Sequence, residues 1–98
     1  MNSLLPRSEQ DKLAAWSACR SIQGFTEAEY RIDANGTLIL WSHYGSQGEY
    51  GWEIDHIVPS ALGGVDAFHN YRALHWKTNR SLGGLLGNAL NAFSAHKA

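Results

Sequence analysis

The sequence predicts a small α+β domain. Three observations carry that expectation. Leu13 and Trp16 follow Ser8 and Asp11 at helical spacing. Asn35-Gly36 separates two runs rich in strand-forming residues, the pattern of a β-hairpin. The stretch from Gly51 to Gly84, GWEIDHIVPSALGGVDAFHNYRALHWKTNRSLGG, reads as strand, Gly-marked loop, strand and helix. With 98 residues, 44% of them hydrophobic and four of them Trp, the chain has apolar material for one modest core, so residues 1–98 are expected to form a single domain.

In chain order, residues 1–7 read as a tail. Ser8 with Asp11 three residues on resembles a capping box and opens a helix from about Glu9 to Ser21, with Cys19 on or near its buried side. Gly24 ends that segment. Glu29–Asp33 and Thr37–Ser42 are the hairpin strands, with either Ile39 and Trp41 or Leu38 and Leu40 facing the core. Alternation leaves that choice open, because the run is apolar on both sides. Tyr44–Gly51, with three Gly in eight residues, is a loop. A strand through Trp52–His56 is closed by Pro59, Gly63-Gly64 turns the chain, and Asn70–Leu74 forms a second strand. The pattern turns helical at Trp76. Leu82, Leu85, Leu86, Ala89, Leu90 and Phe93 then trace one apolar stripe, weakened by Gly83, Gly84 and Gly87 at about 1 kcal/mol each. That stripe packs on the domain's own core or on a second copy, giving a homodimer through the C-terminal helix.

Composition excludes several classes. A single cysteine, Cys19, allows neither an internal disulfide nor a four-cysteine zinc site. The N-terminal segment lacks the apolar core of a signal peptide, and no run of about 18 apolar residues suggests a membrane span, so a cytoplasmic protein is expected. The glycosylation patterns at Asn35 and Asn79 are accordingly read as chance. Net charge is -1, but it is segregated. Residues 1–66 carry nine acids and four bases, whereas residues 67–98 carry Arg72, Lys77, Arg80 and Lys97 and no acid. A basic face beside the Asp55-His56 pair suits a polyanion.

The chemistry concentrates on four residues. Asp55 and His56 are adjacent, Asn70 follows fourteen residues after His56, and Asn79 nine beyond that. Hydrolysis of a phosphodiester needs water deprotonated, phosphate charge neutralised and the leaving oxygen stabilised. Histidine suits the first task, and a divalent metal the other two. Asp55 and Asn79 offer hard oxygen ligands, favouring Mg²⁺ or Mn²⁺ over zinc. Strand neighbours point to opposite faces, so Asp55 and His56 converge only where the strand bends or ends. Asn70 can bond the loop backbone, and Arg72, Lys77 and Arg80 are the candidate nucleic-acid contacts. His75 reads as a partly buried strand residue, His69 as a loop residue, His43 and His96 as surface residues, and Trp76 as a core anchor.

These residues carry a resemblance. Asp55-His56-Ile57-Val58-Pro59, Gly63-Gly64, Asn70 with Leu74, and Asn79-Arg80 resemble the HNH endonucleases of the ββα-metal, or His-Me finger, fold. Asn79 at the third motif position looks like the HNN variant. The phrases YGWEIDHI and LHWKTNR look like a group of small stand-alone HNH proteins, and the hairpin with Asp33 and Gly36 fits that group. The strong resemblance covers residues 50–84. It implies a ββα-metal core flanked by an N-terminal helix, an added β-hairpin and an amphipathic C-terminal helix. It implies His56 as general base, Asp55 and Asn79 as metal ligands, Asn70 as organiser of the loop, and cleavage leaving a 5′-phosphate and a 3′-hydroxyl. Three departures stand out. The buttressing zinc cysteines are missing, Gly83 stands where colicin-type members carry a further histidine, and Leu82-Gly83 stands near where the small group often has Lys-Gly.

The expected function is a Mg²⁺-dependent DNA endonuclease of low sequence selectivity, nicking or cutting double-stranded DNA, with Mn²⁺ or another divalent metal as alternatives. The chemistry leaves RNA open. The rivals are a non-catalytic module on the same fold that binds nucleic acid or protein, and a toxin-type effector nuclease with an immunity or accessory protein over its basic face.

Overall fold

The computed structural model describes residues 5–83. They form a small α+β domain of two helices and two antiparallel sheets. The stripe from Leu85 to Phe93, and with it the dimer contact, lies outside the described residues.

Helix α1 spans Arg7–Ser17, two residues earlier than expected and four residues shorter at its end. Pro6 explains the shift at the front. Its restricted φ pre-forms the first turn, and its carbonyl accepts from the N–H groups of Glu9 (3.0 Å) and Gln10 (3.1 Å). The capping box is absent, because Asp11 instead receives the Arg7 guanidinium at 2.8 Å. At the other end, Arg31 donates to the Cys19 carbonyl at 2.8 Å. Arg20–Ser21 then leave the helix as strand β1, pairing with Ile32 and Arg31. Strands β2 (Tyr30–Ile32) and β3 (Leu38–Leu40) complete an antiparallel sheet in the order β1-β2-β3.

The hairpin turn closes with Gly36 N–H donating to the Asp33 carbonyl at 2.9 Å. Gly36 alone takes a left-handed φ, +81°, while Asn35 keeps a negative one. The Asn-Gly signal therefore locates the turn, but only Gly36 adopts the special conformation. Asp33 is 1% exposed. One of its oxygens accepts from the N–H groups of Asn35 (3.0 Å) and Thr37 (2.8 Å), and the other from the N–H of His75 at 2.9 Å. A single carboxylate thus ties the hairpin turn to the second sheet.

That second sheet pairs β4 (Trp52–His56) with β5 (Tyr71–His75) in antiparallel register, Asp55 opposite Arg72 and His56 opposite Tyr71. Helix α2 follows directly over residues 76–83, and α1 packs across β4 and β5. Asn70 is not in the strand. It ends the 3₁₀ turn Phe68–Asn70, because its N–H is taken by the Ala67 carbonyl at 2.8 Å.

The core resolves the choice of hairpin face. Ile39 is fully buried, Trp41 packs against the same cluster, and Leu38 and Leu40 are only half-buried. Trp16, Trp41 and Trp52 meet there from three separate segments, with ring centroids 5.2–5.7 Å apart. Each such pair contributes about 0.5–1.5 kcal/mol beyond the area it buries. The indole N–H groups of Trp16 and Trp52 donate to the carbonyls of Glu27 and Leu40, both at 2.9 Å, so neither of these two buried indoles is left without a partner. Cys19 lies in this cluster, as a small apolar group just after the helix. Burial pushes its thiol up from the ordinary cysteine value. Trp76 is only half-buried and outside the cluster, its N–H held by the Gly48 carbonyl at 2.8 Å. Among the described residues no helix is long and apolar enough to cross a membrane.

Candidate functional site

The period of two along β4 places Glu53 and Asp55 on one face, and the antiparallel register sets Arg72 opposite Asp55. Arg72 Nε donates to Asp55 Oδ2 at 2.8 Å. Among the described hydrogen bonds none engages Asp55 Oδ1. From α2, Asn79 Nδ2 donates to Glu53 Oε1 and Arg80 to Glu53 Oε2, both at 3.1 Å. Donating its nitrogen to Glu53 commits the Asn79 amide to one orientation, and no described hydrogen bond takes up its Oδ1. Burial alone would push the Glu53 carboxyl up. The hydrogen bonds from Arg80 and Asn79 and the Arg80 charge outweigh it and hold the group below the ordinary glutamate range.

His56 is the last residue of β4, where the strand ends as the adjacent Asp55-His56 pair requires for convergence. Its ring meets Tyr71 edge-on, 5.4 Å between centroids, and its Nε2 lies 2.6 Å from Asp66 Oδ1. The chain beyond is shaped by Asn70, only 5% exposed. Asn70 Oδ1 accepts from Val58 N–H at 2.8 Å, and its Nδ2 donates to the carbonyls of Val58 (3.1 Å) and Val65 (2.9 Å). The loop can close this tightly only with glycine at position 64, where a Cβ would collide with the Val58 carbonyl.

Asp55, His56 and Asn79 line one cleft of about 470 Å³, with Arg72 and the apolar Ile57, Pro59 and Leu82 among its other walls. Asn70 and Arg80 are not among its lining residues. Asn70 acts on the loop behind, and Arg80 is turned onto Glu53. Lys77 is exposed, its amine 5.6 Å from the centroid of the Trp76 ring. The charge that is segregated along the sequence is thus partly recombined in space: acids of β4 face bases of β5 and α2. His75 is buried, and its Nε2 lies 2.8 Å from the Glu49 carbonyl.

No group of three His, Cys, Asp or Glu side chains gathers among the described residues. The donor set in the cleft is instead one carboxylate and one amide, each with an oxygen not engaged in a described hydrogen bond. Such a set suits a hard cation that keeps several of its waters, as Mg²⁺ does, and not zinc. Sequence reasoning missed Glu53 and Asp66. Glu53 was legible, standing two residues before Asp55 on the same strand face. Asp66 carries no periodic signal and becomes visible only once the loop is folded. No family model, curated protein or solved structure matches the chain.

Proposed function

We propose that this protein is a divalent-metal-dependent DNA endonuclease of the HNH type. The observation that supports the reading best is that Asp55, His56 and Asn79, spread over 25 residues of sequence, line a single cleft with a cationic side chain, Arg72, in its wall. His56 takes a proton from water. The water oxygen forms the new bond to phosphorus, and the bond from phosphorus to the 3′ oxygen breaks with its electron pair. That oxygen collects a proton from solvent, leaving a 3′-hydroxyl and a 5′-phosphate. Asp55 and Asn79 would hold the cation, which supplies charge neutralisation at the phosphate and stabilisation of the leaving oxygen. Arg72 lies against Asp55 and can turn toward a phosphate oxygen, exchanging one anion for another.

Supercoiled plasmid incubated with Mg²⁺ or Mn²⁺ tests the reading, with His56→Ala beside it. Relaxation or linearisation by wild type, lost in the variant, is expected; equal cleavage by both removes His56 from its role. RNA and single-stranded DNA run in parallel define the substrate class. The Asp55–Arg72 ion pair favours one second reading, a binding module in which the arginine stands in for the cation. DNA binding without cleavage under any of these metals would select it.

A further inference from the structure

We infer that Asp66 is a positioning residue for His56, holding the imidazole as the tautomer protonated at Nε2 and leaving Nδ1 as the atom that accepts the proton of water. The inference rests on the hydrolase reading for its consequence, but not for its geometry. His56 Nε2 and Asp66 Oδ1 are 2.6 Å apart. An ionised carboxylate is an acceptor only, so the nitrogen facing it carries the hydrogen. In a neutral imidazole the other nitrogen is then a lone pair, and no described hydrogen bond engages Nδ1.

The surroundings hold both partners. Tyr71 meets the ring edge-on and limits its rotation. Asp66 follows Val65, whose carbonyl is held by Asn70 Nδ2 at 2.9 Å, and the Asp66 carbonyl itself accepts from Arg7 at 3.3 Å. The loop organised by Asn70 therefore does more than turn the chain: it delivers a carboxylate to the back of the proposed base. Because the Asp66 side chain is 82% exposed, water competes for it. The expected tautomer bias is about two- to tenfold, the range of a single net hydrogen bond of modest strength.

The test reads the tautomer directly. Long-range ¹H–¹⁵N correlation of the His56 ring, taken on the alkaline plateau where its shifts no longer change with pH, is recorded for wild type, Asp66→Ala, Asp66→Asn and Asp66→Glu. Wild type is expected to show a pyrrole-type Nε2 and a pyridine-type Nδ1. Asp66→Ala should move both shifts toward the average. Asp66→Asn, whose amide can donate to Nε2, should favour the opposite tautomer, and Asp66→Glu should restore the wild-type pattern in part. Plasmid cleavage should follow the same order, with a threefold to tenfold loss in kcat for the alanine variant and KM nearly unchanged. A wild-type ring protonated at Nδ1, or shifts unmoved in Asp66→Ala, would overturn the inference whatever the cleavage result. Shifts that move as expected in a protein that cleaves nothing would keep the contact and overturn the hydrolase reading instead. The exposure of Asp66 means that all four proteins should fold.

Discussion

Asp33→Ala should be among the most damaging single changes outside the cleft. The carboxylate accepts three backbone N–H groups at 2.8–3.0 Å and is 1% exposed. Two of those donors, on Asn35 and Thr37, lie in a surface turn and can turn to water once the carboxylate is gone, a loss of about 1 kcal/mol each. The third, on His75, is buried and would be left without a partner, which costs about 1–3 kcal/mol. The expected total is about 3–5 kcal/mol, against a stability of about 5–15 kcal/mol for a domain of this size. Asp33→Asn keeps an amide oxygen for the turn but turns its NH₂ toward the His75 N–H, so about half of the loss is expected. Urea denaturation followed by tryptophan fluorescence measures both, and an unchanged m-value would show that only stability has moved. A loss below about 1 kcal/mol in Asp33→Ala would refute the bridging role assigned to the carboxylate. An asparagine variant as unstable as the alanine one would refute the division between turn and buried donor.

Other expectations follow from the same contacts. Asn70→Ala removes three hydrogen bonds that fold the loop, and should cost about 2–4 kcal/mol and, under the proposed function, at least tenfold in plasmid cleavage, read by denaturation and by initial rates. Gly64→Ala drives a methyl into the Val58 carbonyl, so the loop must open; a lower melting temperature and faster proteolysis between residues 57 and 69 are expected. Glu53 has a depressed carboxyl pKa in the folded state, so its contribution to stability is present above the unfolded glutamate value of about 4.3 and is lost as pH falls through the folded one. Glu53→Gln should flatten the acid limb of the stability curve, and, if the proposed cation site is real, it should also weaken Mg²⁺ binding in calorimetry by freeing the Asn79 amide to rotate. An acid limb identical to wild type would remove Glu53 from that account.

Much of the fold was legible because it rests on local signals. The Asn35-Gly36 turn, the strand at Trp52–His56 and the helix beginning at Trp76 all announce themselves in a few residues. Strand β1 did not, since Arg20 and Ser21 are exposed and pair through backbone alone, leaving no periodic trace. Ser8 has the residue type of a cap, but Pro6 and the Arg7–Asp11 pair set the actual start of α1. In the candidate site, the convergence of Asp55 with Asn79 could be expected from strand and helix order. The ion pairs could not, because Asp55–Arg72 and Glu53–Arg80 depend on the register between β4 and β5 and on where α2 crosses them. The basic face anticipated from the C-terminal third is weaker for that reason.

The meeting of Trp16, Trp41 and Trp52 bears on how activity and folding can be separated. Where cysteine pairs around zinc hold a small domain together, a chelator or an oxidant dismantles scaffold and chemistry at once. Here the segments are joined by indole rings and backbone carbonyls, which offer nothing for a chelator to remove. Protein treated with EDTA should therefore keep its native tryptophan emission while losing any metal-dependent cleavage. It can serve as a folded, silent control against which each site variant is compared.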